Sequence, residues 1–559
     1  MFLRFVVILL LFLVPTISFS EDADQLEKRF EPKEKPKSEI APLLPKVAQV
    51  LPAGKSFREN FELKVMKIVG STVYANQDLE ALYASYLRPP ATSKLFQDLT
   101  KEIARKYEAD GYPYTQVSVE PPNSPGGALR VVIREAYIDN VVITGEVKDK
   151  KGLFTRLVER IKSMRPVYKP DFERYLLLAN DLAGVHKVEA KIDVSEKVPG
   201  AHTLTLEITP GKTTSGFFSI DNRGTDAVGP STIIPGIFIS NPFGYFSKTS
   251  ILLATTAETK ELRFISAGYE LPINDEGAVL EIKGTYNKSY PGTATAEALD
   301  AYSRSQTLSL GISYPFIRTQ QKNFTGYGKF DIKYADTGNQ TGKLTEDEMR
   351  VFRAGGNFDY ADSTNAITQL QIEWSHGLSG LGATSNNSIT KSRSDGVVDF
   401  DKVAYSFSRT QPLSFISPKL DKWTAYGAIE GQLASDGLLS GEECGIGGQY
   451  FGRAYDTSEI TGERCISASA ELRRSIDTSR SDLLTSTEGY LFYDIGKAKH
   501  RNPTSTPQEA SLSSAGIGLE FQTSKNVTLS VELAKPLTKK VTNENDKDLR
   551  IFGNLVMIF

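Results

Sequence analysis

The chain has 559 residues, a formal net charge of −3, 40% hydrophobic residues and two cysteines. That length holds two or three structural units, and the near-neutral charge supplies no global basic field to attract nucleic acid. A helical membrane protein would need several apolar runs of about 20 residues, whereas this chain has one, over residues 5–14, which is too short.

That run has the layout of a secretory signal. Arg4 provides the positive start, Pro15 breaks the apolar region, and the small residues Ser18 and Ser20 precede a cut before Glu21. Residues 1–20 are therefore expected to be a signal peptide, which places the remainder in an oxidising compartment. Cys444 and Cys465 are too few for a disulfide scaffold and lack zinc-site spacing, and the four histidines are scattered. No metal or other cofactor is expected.

Residues 21–56 read as a short charged helix and then an extended linker carrying Pro32, Pro36, Pro42, Pro45 and Pro52. From 57 to 210 the pattern is α+β and it repeats. In the first unit, 57–135, the reading is a strand over 61–69 closed by Gly70, then a helix from Asn76, its expected cap, to Leu87. A second helix places Leu95, Leu99, Ile103, Ala104 and Tyr107 on one face and stops at Gly111. Strands over 114–120 and 129–135 follow, separated by a Pro- and Gly-rich turn at 121–127. The second unit, 136–210, repeats the order: a strand ending in Gly145, helices over 152–163 and 170–182, and strands over 186–194 and 203–209. Two βααββ units of about 75 residues are too small for enzyme clefts of their own and suit docking modules.

From 211 to 559 the helical period disappears and about sixteen strand-like segments can be placed. Many alternate. In residues 324–334, Phe324, Gly326, Gly328, Phe330, Ile332 and Tyr334 oppose Thr325, Tyr327, Lys329, Asp331 and Lys333. A soluble sandwich alternates too. The connections separate the two readings: those at 241–244, 271–277, 315–323 and 362–365 are short, whereas 287–304, 335–348, 376–396 and 433–464 are longer and polar. Short turns on one side and long loops on the other belong to outer-membrane barrels. The last segment alternates and ends in Phe559, in keeping with an outer-membrane assembly signal.

The most specific residues lie in and around the segment 433–464. Ser440-Gly441-Glu442-Glu443, Ile446-Gly447-Gly448-Gln449-Tyr450-Phe451-Gly452-Arg453-Ala454-Tyr455-Asp456, Ile460-Thr461-Gly462-Glu463-Arg464 and Glu471-Leu472-Arg473 resemble the sixth extracellular loop of the two-partner secretion transporters. This is the haemolysin secretion/activation and filamentous-haemagglutinin transporter family, whose motif runs Gly-Gly-x-x-apolar-Arg-Gly-aromatic. Here Gly452 precedes the arginine and Ala454 follows it, so the small residue and the aromatic Tyr455 are retained. Phe492-Tyr493-Asp494-Ile495-Gly496 is similar to the family's Phe-x-Asp-x-Gly on the thirteenth strand. Asn180-Asp181-Leu182-Ala183-Gly184 is similar to a motif of its second polypeptide-transport-associated (POTRA) domain, and Asp221-Asn222-Arg223-Gly224 to the end of the first barrel strand.

The resemblance covers the whole mature chain. It implies two periplasmic α+β POTRA domains, 57–135 and 136–210, and then an all-β, 16-stranded transmembrane barrel over 211–559 whose sixth loop, about 433–464, folds into the lumen. Glycines 447, 448 and 452 would allow φ > 0 and close approach there. Arg453 offers a rigid fork for a carboxylate. Asp494 shares a face with Phe492, opposite Leu491, Tyr493 and Ile495, and so points inward if the apolar face meets lipid. Taken alone, Arg453 reads as an exposed loop cation and Asp494 as a solvated strand end; the motif pairs them. A wet lumen would keep that pair weaker than a buried one. Cys444 and Cys465 bracket the loop and are expected to form a disulfide.

The function implied is export of a large secreted exoprotein. Its N-terminal secretion domain would dock on the POTRA domains and the chain would pass through the barrel, in the outer membrane of a Gram-negative bacterium. Activation of the exoprotein by the transporter is left open, as is plugging of the lumen by the N-terminal helix. The other expected partners are outer-membrane lipids and the barrel-assembly machinery, with no nucleic acid and no enzymatic activity. The alternatives are a barrel-assembly factor, which usually has more POTRA domains, and a passive porin, which has no need of two docking units.

Overall fold

The computed structural model describes residues 66–84, 93–120, 129–195, 198–478, 481, 483–501, 508–523 and 525–559, with the single positions 25, 29, 30, 36 and 37. The expected signal peptide, most of the segment 21–56, strand residues 61–65 and the turn at 121–127 lie outside the described residues.

Each α/β unit forms because its helices bury one stripe and its sheet one face. In the first, β1 (Met66–Val69) leads to α1 (Asn76–Tyr83), α2 (Ser93–Ala109), β2 (Gln116–Glu120) and β3 (Leu129–Arg134). The sheet order is β1-β3-β2, with β1 parallel and β2 antiparallel to β3. Leu99, Ile103 and Tyr107, one turn apart on α2, pack on Ile68, Val117 and Val131. In the second unit β4 (Tyr137–Thr144), α3 (Leu153–Lys162), α4 (Lys169–Asn180), β5 (Val185–Val194) and β6 (Ala201–Pro210) form the same topology, in order β4-β6-β5. The repeat extends to single residues. Gly70 and Gly145 end the first strand of each unit at φ 92° and 87°. A Cβ at either would run into a strand carbonyl, that of Ile133 or of Ile208.

One expected helix start is shifted. Asn76 is the first helical residue, not the cap; Ala75 caps α1, and Asp78 Oδ2 accepts its amide at 3.0 Å. The acid in the first turn thus satisfies the amide of the cap residue itself, the half of a capping box that needs no polar side chain at the cap. The described helix ends at Tyr83, and residues 85–87 of the expected stretch to Leu87 lie outside the described residues.

The units interlock. Tyr114, on the turn between α2 and β2, sits in the core of the second unit, edge-on to Phe172 at 6.3 Å. Phe246, from the first periplasmic turn of the barrel, enters the same core and is 1% exposed. Asp181 takes both prongs of Arg318 at 2.8 Å, and Arg160 reaches Asp275 at 2.8 Å, fastening the second unit to the barrel turns.

After Pro210 come β7 (Thr214–Asp221), β8 (Thr232–Ser240), β9 (Lys248–Thr256), β10 (Arg263–Pro272), β11 (Val279–Ser289) and β12 (Tyr302–Arg318). Then follow β13 (Lys322–Asn339), β14 (Gly342–Ala361), β15 (Ile367–Gly377), β16 (Asp401–Pro412) and β17 (Trp423–Ala434). A small hairpin, β18 (Cys444–Ile446) with β19 (Ile460–Gly462), stays apart from the barrel sheet. Five more strands complete it: β20 (Arg464–Ile476), β21 (Leu484–Lys499), β22 (Glu509–Thr523), β23 (Val527–Pro536) and β24 (Arg550–Ile558). Each barrel strand pairs antiparallel with the next, and β24 returns to β7, so sixteen strands close. Phe559 and Gly216 exchange backbone hydrogen bonds at 3.1 and 3.0 Å at the seam. Alternation takes the membrane form: on β12, Leu308, Leu310 and Ile312 are 50%, 52% and 49% exposed, while Ser309 between them bonds inward to Asp331 at 2.7 Å. No described helix is long and apolar enough to cross a membrane; the strands do the crossing.

One expected long loop is absent. Residues 335–348 continue β13 and β14 in register, from Ala335↔Asp347 through Thr337↔Thr345 to a tight turn at Gly342. The segment reads as loop because a hairpin that projects beyond the bilayer has no apolar face to show. Cys444 and Cys465 are bonded, their Cα atoms 6.4 Å apart. The bridge ties the small hairpin to β20.

Two outcomes are expected. Thiol labelling of denatured, unreduced protein should find no free cysteine, since the bridge closes a loop of 21 residues in sequence separation, a stabilisation of about 3 kcal/mol in the chain-entropy account. Phe172→Ala removes a fully buried ring and should destabilise the second unit by about 3–5 kcal/mol. Limited proteolysis should then clip the α/β units while the unboiled barrel still migrates as a folded species on gels.

Candidate functional site: the sixth loop in the lumen

The segment between β17 and β20 returns into the barrel. Its hairpin pairs Cys444 with Gly462 and Ile446 with Ile460. At the tip Gly447, Gly448 and Gly452 take φ of 126°, 99° and 74°, conformations that a side chain would strain. The turn is closed by Gly447 N to Phe451 O at 3.1 Å, Gly448 N to Tyr455 O at 3.1 Å and Tyr455 N to Gly452 O at 2.8 Å. Phe451, Ala454 and Tyr455 are buried with Phe492, Leu512 and Val541. The Tyr455 hydroxyl donates to Ser513 O at 3.1 Å or to Lys539 O at 3.0 Å. Packing at Gly496 is close: a Cβ there would lie 2.6 Å from Ile446 Cγ2.

This fold of the loop delivers Arg453 to the wall. Its Nη2 donates to Asp494 Oδ1 at 2.8 Å and its Nε to Asp494 Oδ2 at 3.0 Å, the two-pronged geometry of a guanidinium on a carboxylate. The Arg453 amide also donates to Asp494 Oδ2 at 3.0 Å, so backbone and side chain are fixed together. Nη1 reaches Glu471 Oε1 at 2.7 Å, and Nη2 also reaches Ser469 Oγ at 3.0 Å. The guanidinium lies 3.7 Å above the centre of the Phe492 ring, which gives Phe492 a role beyond filling space. Ser514 donates to Asp494 at 3.2 Å. The structure thus brings together Arg453, Phe492 and Asp494, read from the sequence as loop cation and wall partner.

Two features differ from the sequence reading. Arg453 is 4% and Asp494 0% exposed, so the contact is buried rather than bathed by a wet lumen. It is also no simple pair. Glu471 and Glu532 face the same guanidinium, with Arg473 on Glu471 at 2.6 Å and Arg223 on Glu532 at 2.7 Å. Three arginines and three carboxylates balance, as buried charges must. Glu471 and Arg473 stood within the motif segments; Glu532 carried no sequence signal beyond lying on an alternating strand.

Gln25, Arg29 and Phe30 of the N-terminal segment also occupy the lumen. Gln25 Nε2 donates to Ser440 O at 2.7 Å, and Gln25 Oε1 accepts from Ser458 Oγ at 3.1 Å. Arg29 binds Asp221 at 2.6 Å and Thr232 at 3.0 Å, and the Phe30 ring lies 4.8 Å from that of Phe264. At the outer mouth Glu443, Glu463 and His500 gather within 4.8 Å, a grouping that the scattered histidines had not suggested. Arg393 bonds both carboxylates, Glu463 at 2.8 Å, so a guanidinium holds the position a cation would take.

Outside the membrane, Glu135 of the first α/β unit accepts from Thr72 N at 2.8 Å, Val73 N at 3.0 Å and the Tyr107 hydroxyl at 2.9 Å. Burial alone would raise its pKa; these donors hold it below the usual carboxylate range. Asn180 bonds Val188 through both backbone groups, tying α4 to β5, and the next residue, Asp181, carries the barrel contact.

Comparison with known proteins bears on this architecture. No curated protein sequence matches the chain. Among solved structures, CdiB from Escherichia coli aligns with a TM-score of 0.73 at 17% identity, covering 96% of this chain and 95% of that one. CdiB from Acinetobacter baumannii gives 0.65 at 16%, covering 96% of each. BamA from Haemophilus ducreyi lacking POTRA domains 1–3 gives 0.50 at 14%, covering 89% of this chain and 100% of that one. These likenesses concern the fold. A ShlB-type POTRA domain profile matches residues 61–136. The profile described as haemolysin secretion/activation protein ShlB/FhaC/HecB matches residues 200–521, over half of the chain. The chain therefore belongs to the ShlB/FhaC/HecB haemolysin secretion/activation family, the outer-membrane transporters of two-partner secretion, with its POTRA domains in the periplasm.

Proposed function

We propose that the two POTRA units, taken as 57–135 and 136–210, capture the N-terminal secretion domain of a large exoprotein. The barrel, taken as 211–559, then passes that exoprotein outward once the sixth loop leaves its lumenal seat. The observation that carries the reading is the two-pronged, buried contact of Arg453 with Asp494, which fixes a loop across the path a chain would take. The free edges β2 and β5 suit capture of an extended segment by main-chain hydrogen bonds. The interlocked Tyr114 and Phe246 supply a stiff path from the docking units to the barrel turns. Folding of the exoprotein outside the cell supplies the free energy, and the transporter needs no catalysis of its own. The C-terminal strand, sealed to β7 through Phe559, serves as the signal to the barrel-assembly machinery, and the apolar outer face meets outer-membrane lipid.

Deletion of residues 57–135 should leave a heat-modifiable barrel in the outer membrane that secretes nothing; undiminished export would contradict a docking role for the first unit. Arg453→Ala should lower secretion at least about tenfold, because a loop shifted off its seat by roughly 1.4 kcal/mol opens the channel without waiting for a docked exoprotein. Because Glu471 and Glu532 still face the guanidinium, Asp494→Ala should cost less than Arg453→Ala. The double mutant should be no worse than Arg453→Ala, as contacting groups demand. Secretion normalised to transporter abundance is the measurement, and losses that multiply would sink the contact as the seat of the loop.

A further inference from the structure

The sixth loop meets the lumen wall at a second buried charge cluster, of opposite sign to the first. Glu442, upstream of Arg453 in the same loop, is 1% exposed. Its Oε1 accepts from Lys333 Nζ at 3.0 Å and Arg353 Nη2 at 2.7 Å, and its Oε2 lies 2.6 Å from Lys402 Nζ. Its backbone carbonyl accepts from Lys402 Nζ at 2.9 Å and Gln432 Nε2 at 3.0 Å, so here too main chain and side chain are fixed together. The three cations project from β13, β14 and β16, an arc of wall distinct from the β20, β21 and β23 arc that receives Arg453.

The charge balance of this arc depends on the loop. Arg353 also bonds Asp331 at 2.6 Å and lies 3.7 Å from Glu373, but Glu442 is the carboxylate that all three cations share. Withdrawing it would take from Lys333, Arg353 and Lys402 the carboxylate they share and bring three like charges together without it. The first cluster is the mirror case: wall carboxylates Asp494, Glu471 and Glu532 await the loop's cation. A loop carrying both signs, each against a wall patch of the other sign, has one low-energy seat. Sliding or turning it sets like charges together.

We propose that Glu442 is a positioning residue, a second latch of inverted polarity that must release together with Arg453 before the sixth loop can leave the lumen. This rests on the reading that loop departure opens the channel. The test is the frequency of open events of purified full-length protein in planar bilayers, with heat-modifiable gel migration as the check on folding. Glu442→Gln, which keeps shape and removes charge, should raise the frequency about tenfold, whereas Glu442→Asp should stay near wild type. Arg453→Ala should raise it as well, and the double variant should multiply the two effects, since the latches act on separate arcs. If Arg453→Ala opens the channel while a folded Glu442→Gln stays closed, Glu442 is no latch, even if its barrel melts earlier. If Arg453→Ala and the double variant both stay closed, the loop-departure reading itself falls. Should Glu442→Gln fail to fold, Lys402→Gln takes its place: opening above wild type supports the latch, and a closed, folded channel overturns it.

Discussion

A strand inside a bilayer has no water for its backbone amides, so every one must find a partner in the next strand. That requirement forces β24 back onto β7 and closes sixteen strands into a cylinder. Most other features answer to this closure. A cylinder of this size encloses space, and in a cell envelope that space has to be filled when idle. The sixth loop with its hairpin of β18 and β19, and Gln25, Arg29 and Phe30 of the N-terminal segment, fill it.

What fills a lumen that must later open cannot be held as a hydrophobic core is held. Apolar packing around Phe451 and Tyr455 sets the shape of the loop tip, but specific charge contacts choose its place. Buried ion pairs gain little net stability over apolar packing, because desolvation offsets most of the Coulombic gain. They are strongly selective for geometry, and that combination suits a part that has to sit in one position yet remain displaceable. The Arg453 cluster, the Glu442 cluster and the clasp of Arg393 on Glu443 and Glu463 all use it.

Much of this was legible in the chain. Period-two alternation and the asymmetry of turn lengths give the barrel, and repeated helix stripes give two βααββ units. Arg453 and Asp494 could be paired because a local motif marks each one. Glu532, Lys333, Arg353 and Lys402 could not be read, because each is one polar residue among many on an inward-facing register. Their meaning arises only when distant strands and a loop are brought together. The hairpin over 335–348 was misread for a related reason: beyond the bilayer a strand loses the apolar face that announces it. Tyr114 and Phe246 look like ordinary apolar residues of the segments that carry them, and only the fold shows that each belongs to its neighbour's core.

That last feature bears on how such a protein can be taken apart and rebuilt. The sequence invites cuts at 136 and 211, where one pattern gives way to the next. A chimera joined there would strand Tyr114 and Phe246 opposite foreign pockets, and would separate Asp181 from Arg318. Transplantable modules therefore have ragged borders. A docking unit moved to another barrel has to bring with it the ring that its neighbour lends, and the partner-specificity of these transporters is exchangeable only along that uneven line.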